Sequence, residues 1–391
     1  MDKTPMFDRY INRLDNYSAK WKSGSSTVPN FISMSVADMD LPAPERLIKQ
    51  LECFNQTGIY GYTVLPENYF DVVRNYLERH YSYKVKNDEI VFCPRIIQAI
   101  SIYLREFTQI GEKICVFTPS YSPIINAITL NNRQFLPCPL VYKNNHYAID
   151  FSLLESCFKQ AKFFILISPH NPTGRVWTKF ELQKIAQLAE QYSVFIISDD
   201  VHADFTFSET SHQIIAGINN YVKNHSIICT SPAKTFNIPG LEIANIIIHN
   251  KKIREKFHRT LQQLGIHNPN YFSIPAIMIA YQYCDNWIIQ LKHYIVANKR
   301  LVQRFFTEEI PQLVVIPSEG TYLLWINYQK LLISEDQLKE KLIKLAQVEM
   351  AWGSDFGIEG MGFFRMNIAM PRFLLQQALI QIKNAITKGD A

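Results

Sequence analysis

The chain predicts a doubly wound α/β fold with a mostly parallel sheet, followed by a smaller α+β domain. Three observations carry this. Short apolar runs without period-2 alternation recur between about residues 89 and 249, as expected of strands buried on both faces. Amphipathic helical stretches separate those runs, the alternation that builds a parallel sheet. The length of 391 residues, with 47% hydrophobic and 19% charged, suffices for one large domain and a smaller one.

Taken in order, residues 1–45 are irregular and rich in turn formers, with Val36-Ala-Asp-Met-Asp-Leu41 as a distinctive island. Pro66 to Tyr81 has helical periodicity. Glu89 to Cys93 reads as a strand and Ile96 to Phe107 as a helix; Ile114 to Thr118 is the next strand and Tyr121 to Leu130 the next helix. Strands follow at 163–168, 194–198, 227–230 and 244–249, with a helix at 179–192. A long helix from Trp287 to Glu308 leads into strands near 314–316, 321–326 and 363–367 and helices over 335–346 and 372–387. The expected layout is an N-terminal segment, 1–45, packing with the small domain, a large domain over 46–285 and a small domain over 286–391.

The formal charge is +5, from 40 basic and 35 acidic residues, and no block of Lys or Arg stands out. That pattern argues against nucleic acid or a membrane surface as partner. The seven cysteines, at 53, 93, 115, 138, 157, 229 and 284, are widely spread and include no Cys-x-x-Cys. They are expected to be reduced, buried thiols of a cytoplasmic protein, not a disulfide framework or a zinc site. The N-terminus has no apolar leader pattern, and runs such as Phe163–Ile167 are too short to span a bilayer.

In a doubly wound sheet, ligands bind beyond the carboxyl ends of the strands. Five such positions stand out. Cys93-Pro-Arg-Ile-Ile97 opens a helix, whose free N–H groups at Ile96 and Ile97 suit a phosphate. Tyr121, in Thr118-Pro-Ser-Tyr-Ser122, can lie flat on an aromatic ring. In Ser168-Pro-His-Asn-Pro-Thr-Gly-Arg-Val-Trp177 two prolines constrain the backbone and aim the Asn171 amide, and Asn171-Pro172 is a candidate cis bond. Asp199, in Asp-Asp-Val-His202, is a carboxylate at a buried strand end and calls for a cation such as a pyridinium nitrogen. Asp199, Asp200, His202 and Asp204 are also conceivable metal ligands, but no second cluster completes a shell. The fifth position is Ser231-Pro-Ala-Lys-Thr-Phe-Asn-Ile-Pro-Gly240. Lys234 is unfavourable there unless its amine is neutralised, as in an imine with an aldehyde cofactor, and the Ser231 hydroxyl is placed for phosphate. In this order the five describe a pocket for pyridoxal 5′-phosphate (PLP). Arg365, in Gly360-Met-Gly-Phe-Phe-Arg-Met-Asn367, is suited to an α-carboxylate.

These runs resemble the fold-type-I PLP enzymes of the aminotransferase class I/II superfamily. Phe7-Asp-Arg, Val36-Ala-Asp-Met-Asp40, Gly58-Ile-Tyr-Gly-Tyr-Thr63, Lys234-Thr-Phe-Asn237 and Gly320-Thr-Tyr-Leu323 extend the likeness nearly end to end. The Ala-Asp-Met-Asp and Pro-His-Asn-Pro-x-Gly-Arg-Val-Trp runs resemble its C–S β-lyase branch (cystathionine β-lyase, MalY/PatB-like). The resemblance implies that Lys234 is the catalytic, imine-forming lysine. It implies that Asp199 pairs with the ring nitrogen, that Tyr121 stacks on the ring, and that Asn171 and His202 lie near the ring oxygen. Ile96, Ile97 and Ser231 hold the phosphate. Tyr62 reaches the phosphate of a neighbouring subunit, which implies a homodimer with shared sites. Arg365, with Ala37, Asp38 and Asn171 beside it, binds a small amino-acid substrate.

Three positions depart from the family pattern: Asp200-Val201 for Glu-Ile, Ala233 for Ser before the lysine, and Pro94-Arg95 for Pro-Gly or Pro-Ser. The implied reaction is α,β-elimination of cystathionine or a related cysteine S-conjugate to thiol, pyruvate and ammonia. An aminotransferase shares the same residues up to removal of the α-proton. A regulatory or binding protein that retains the PLP fold is the alternative of another class.

Overall fold

The computed structural model describes residues 6–22, 30–207 and 211–387. Residues 1–5 and 23–29 of the expected N-terminal segment, and 388–391 at the other end, lie outside them. A seven-stranded sheet runs, edge to edge, Ile90–Cys93, Ala244–Ile247, Ser226–Thr230, Phe195–Asp199, Phe163–Ile167, Lys113–Thr118 and Gln134–Pro139. Ala244–Ile247 is antiparallel to both its neighbours, and every other pairing is parallel. Residues 163–167, 195–199 and 226–230 are buried throughout, which is why they lack alternation in the sequence. The register Ile167↔Asp199↔Cys229 lines up the carboxyl ends of three central strands.

Gln134–Pro139 escapes sequence reading because it carries Pro137 and Pro139. A proline has no N–H to give a ladder, so it suits a strand paired on one side only, as here. Glu45–Gln56, Lys251–Gln263 and Ser273–Tyr283 are helices the sequence analysis does not single out. The first two are strongly polar with a narrow apolar face, a weak signal against their surroundings. Lys179–Tyr192 begins on a capping box: Glu181 N–H donates to Thr178 Oγ1 at 3.2 Å and Thr178 N–H to Glu181 Oε2 at 2.8 Å. Residues 335–346, expected as one α-helix, divide into an α-helical turn, Glu335–Lys339, and a π-helical stretch, Glu340–Leu345.

The long helix Asp285–Glu309 leads to a four-stranded antiparallel sheet ordered Val314–Val315, Leu323–Asn327, Phe363–Asn367, Ala351–Trp352. Ile32–Ser33 pairs in parallel with Val348–Glu349, and Phe7 packs against Trp287 and Tyr294 at ring-centroid distances of 5.8 and 5.3 Å. Among the described residues, no helix is long and apolar enough to cross a membrane.

Candidate active site

Lys234 lies in a single helical turn, Pro232–Thr235, directly after the buried strand Ser226–Thr230. Ser231 caps that turn by accepting the Ala233 N–H at 3.0 Å. The turn sets Lys234 pointing at residues 36–40, where Nζ donates to the Ala37 carbonyl at 2.5 Å. Burial pushes the amine down to about 8; Asp38 and Asp199 oppose that shift and Arg365 adds to it. The neutral amine is the form that captures an aldehyde, and its fraction grows as pH rises through 8. Cofactor capture by the apoprotein should therefore accelerate about tenfold per pH unit below pH 8 and level off above it. Stopped-flow absorbance after mixing with PLP checks this. A rate still climbing towards pH 10 would mark an ordinary lysine.

Asp199 ends its strand fully enclosed. Among the described residues its carboxylate accepts one hydrogen bond, from Val201 N–H at 3.2 Å. Burial drives the carboxyl up to about 7; Val201 N–H and Lys234 oppose this and Asp200 adds to it. A buried acid so poorly compensated fits a site completed by a cation, such as a protonated pyridine nitrogen. His202 nearby is held neutral by burial, with Lys234 and Arg365 adding to the effect, and its Nδ1 has no partner among the described residues. These two unfilled groups, beside a buried amine, match the donor set of PLP.

The conceivable metal set separates instead. Asp200 takes His212 Nε2 at 2.9 Å and the Ser198 hydroxyl. Asp204 accepts from Tyr76, Tyr81 and Thr235 at 2.8, 2.6 and 2.6 Å. The Thr235 bond ties Asp204 to the lysine turn.

At the expected phosphate end, the helix Ile96–Phe107 has an extended N-cap, Arg95, with no side-chain cap, so the first N–H groups stay available. Arg95 turns outward to pair with Glu242. Ser231 differs from the expectation: its hydroxyl donates to the Ile243 carbonyl at 2.5 Å, so its one proton is already committed. Tyr121 immediately precedes the helix Ser122–Leu130. Burial raises its hydroxyl pKa, with Arg365 and Asp199 as its electrostatic neighbours. Tyr62 is not brought into this pocket. It is fully exposed, in a stretch with exposed Ile59, Tyr60 and Val64.

Arg365 sits mid-strand in Phe363–Asn367 and is buried. Nη1 donates to Asn171 Oδ1 at 3.0 Å and Nη2 to the Ser35 carbonyl at 2.7 Å. Its Nε has no partner among the described residues, and the guanidinium lies 5.0 Å from the Phe356 ring centroid. Asn171 is held by a loop closed on itself: His170 N–H donates to Arg175 O, and Gly174 N–H to His170 O, both at 2.8 Å. Gly320 must be glycine for that loop to seat, because a Cβ there would lie 2.8 Å from Pro169 Cβ.

Several residues beyond the expected set shape the pocket. Asn237 holds the Met39 N–H, the Met39 carbonyl and the Leu41 carbonyl at 3.0, 2.9 and 2.8 Å. Asn367 donates to the Val36 and Asp38 carbonyls at 2.7 and 2.6 Å. Arg13 bridges Asp38 and Asp40 at 2.6 and 2.7 Å. Tyr322 donates at 3.0 Å to the Ala37 carbonyl that also receives Lys234. Asn237, Tyr322 and Asn367 each lie in a run that resembles the family, which was the available signal, but no role for them could be read from those runs alone.

Comparison with known proteins agrees with this geometry. The chain is 33% identical over 385 residues to the cystathionine beta-lyase PatB of Bacillus subtilis, covering 97% of this chain and 100% of that one. Cystalysin from Treponema denticola, whose crystal structure contains PLP, superposes with a TM-score of 0.94 at 32% identity, covering 98% of each chain. A PLP-bound protein of Clostridium difficile 630, provisionally assigned as an aminotransferase, superposes with a TM-score of 0.95 at 35% identity, over 97% of this chain and 99% of that one. The family model for aminotransferase class I and II matches residues 29–382. With that match added to a half-buried lysine whose amine feels both an under-compensated aspartate and a buried arginine, the chain belongs to the aminotransferase class I and II family and takes PLP as its cofactor.

Proposed function

We propose that the protein is a PLP-dependent C–S β-lyase that cleaves cystathionine or related cysteine S-conjugates to thiol, pyruvate and ammonia. One observation carries the substrate class: Arg365 is a buried cation without a carboxylate partner among the described residues, near enough to Lys234 for its charge to act on the amine. An amino acid's α-carboxylate answers it. The β-elimination is supported by the relatives named above as cystathionine beta-lyase and cystalysin.

When bound, the cofactor supplies an electron sink for charge developing at the substrate's Cα. In our assignment Arg365 fixes the carboxylate and thereby orients the Cα–H. The freed Nζ of Lys234, already depressed in basicity by burial, takes the α-proton as general base. Asp199 would pair with the ring nitrogen and favour its protonated form, and Tyr121 would hold a ring face. Asn171 and His202 would hold the ring oxygen, and the N–H groups of Ile96 and Ile97 the phosphate. Ala37 holds the lysine amine through its carbonyl, and Asp38 adds charge beside it. Thiolate then leaves the β-carbon, and water completes the balance to pyruvate and ammonia. We assign a large domain to 46–285 and a small one to 286–391, with the N-terminal segment joined to the latter through the pairing of Ile32–Ser33 with Val348–Glu349. The free cysteines fit a reducing, cytoplasmic location.

Supplied with cystathionine and no 2-oxo acid, the holoenzyme should release homocysteine and pyruvate in equal amounts. A requirement for a 2-oxo acid acceptor would replace this reading with transamination.

The exposed apolar stretch with Tyr62 supports a homodimer in which that tyrosine serves the partner's phosphate. Sedimentation should show a dimer, and Tyr62→Phe should weaken PLP retention about tenfold, as expected for one hydrogen bond to a charged group. A fully active monomer would rule this out.

A further inference from the structure

We propose that Cys115, Cys138 and Cys157 form a buried three-sulfur site for a soft monovalent cation, Cu(I), outside the residues of the cofactor pocket. The three come from three elements. Cys115 is in the strand Lys113–Thr118, Cys138 in the adjoining edge strand Gln134–Pro139, and Cys157 in the helix Phe151–Phe158. In the parallel register Phe117 faces Cys138. Cys115, two residues before Phe117, therefore projects to the same face of the sheet as Cys138. The helix covers that face and sets Cys157 Sγ 3.9 Å from the Pro137 carbonyl. All three residues are buried, and their sulfur atoms lie within 4.8 Å of one another.

That spacing is close to a coordination geometry. Metal–thiolate bonds of about 2.3 Å place three sulfurs around one ion on a triangle of about 4 Å edge, so the site needs only a small contraction. Ligand type selects the ion. Thiolate is soft and favours Cu(I), whereas zinc is almost always held by four ligands. No His, Asp or Glu joins the group among the described residues. Phe117, Leu154, Phe158 and Phe164 belong to the same buried apolar cluster. A dry three-sulfur shell suits a three-coordinate monovalent ion better than a hydrated divalent one. Binding breaks only S–H bonds; the displaced protons pass to solvent and no atom changes oxidation state. Entry is available where the sheet ends, because the edge strand is paired on one side and covered by a helix of 8 residues.

The test uses holoenzyme carrying Cys53→Ala, which removes the exposed thiol. It is titrated with Cu(I) without oxygen, against a chromogenic Cu(I) chelator. One equivalent per chain should resist the chelator, and X-ray absorption should show three sulfur scatterers at about 2.3 Å. Adding Cys157→Ser, with the thermal melt unchanged, should lower retention by about tenfold or more. Absence of retained Cu(I), a shell containing nitrogen or oxygen, or retention indifferent to Cys157→Ser would each overturn the site. It would then be three small side chains packed together. The absorption measurement reads the protein with all three cysteines intact, so it decides the matter even where a variant fails to fold.

Discussion

Lys234→Ala should lower pyruvate formation by at least roughly 10³-fold, the loss expected when a positioned general base is removed, while leaving the fold intact. The side chain is half-buried, and desolvation depresses the amine to about 8, so the surroundings disfavour its charge. Among the described residues its one hydrogen bond goes to the Ala37 carbonyl, which keeps Tyr322 as a second donor at 3.0 Å. Truncation therefore strands no buried acceptor and removes a poorly solvated cation. Thermal stability should stay level or rise, as is usual where a functional site is held at the expense of stability. PLP should still bind through its phosphate and ring contacts but lose its covalent absorbance band. Added methylamine should restore part of the rate, since a free amine can stand in for the missing base. A variant that kept forming pyruvate at the parent rate would show that another group takes the α-proton.

Asp199 stands differently from Lys234 in this respect. Its carboxyl, raised to about 7, is under-compensated by the protein alone, so it owes its charged state to what binds beside it. That difference explains why its position was legible. A strand buried throughout, Phe195-Ile-Ile-Ser, ending in an acid has few structural uses. The strand-end rule for doubly wound sheets picked out Ile96, Tyr121, Asn171, Asp199 and Lys234 for the same reason. Each follows a run whose burial on both faces is written in its composition.

The residues that hold the far wall were not legible in that way. Asn237, Tyr322 and Asn367 act on backbone carbonyls of residues 36–41, across sequence separations of 196 to 331 residues. A hydrogen bond to a carbonyl places no demand on the identity of the residue that owns it, so no pattern in 36–41 announces its partners. Arg365 lay between these cases. Its planar fork suits a carboxylate wherever it sits, and the likeness of Phe-Phe-Arg-Met-Asn to family members named the substrate's carboxylate as the one it binds. The edge strand Gln134–Pro139 shows the converse. There local propensity pointed away from a strand, and pairing with Lys113–Thr118 overrode it. The cysteine grouping belongs here too, since sulfurs brought together from positions 115, 138 and 157 share no spacing that a sequence motif could express.

Arg365→Leu should lower kcat/KM for cystathionine by roughly 30- to 5,000-fold, the equivalent of about 2–5 kcal/mol for breaking a buried, hydrogen-bonded charge pair. The guanidinium remains charged at neutral pH, because burial lowers its pKa only to about 10. Asn171 Oδ1 and the Ser35 carbonyl take two donors, the Phe356 ring covers one face, and Nε is left over. Neutral acceptors do not balance a buried charge, so the site is complete only with an anion. A carboxylate is held from binding through proton removal, so the loss should fall mainly on KM, with kcat less affected. Arg365→Lys should lie between the two. Lysine restores the charge but not the planar fork that can satisfy two oxygens. The discriminating comparison is a cysteamine S-conjugate, which carries the amine and the sulfur but no carboxylate. Wild-type and Arg365→Leu enzymes should turn it over equally slowly. If the variant were impaired on that substrate as severely as on cystathionine, Arg365 would be supporting the pocket through Asn171 and not reading the substrate.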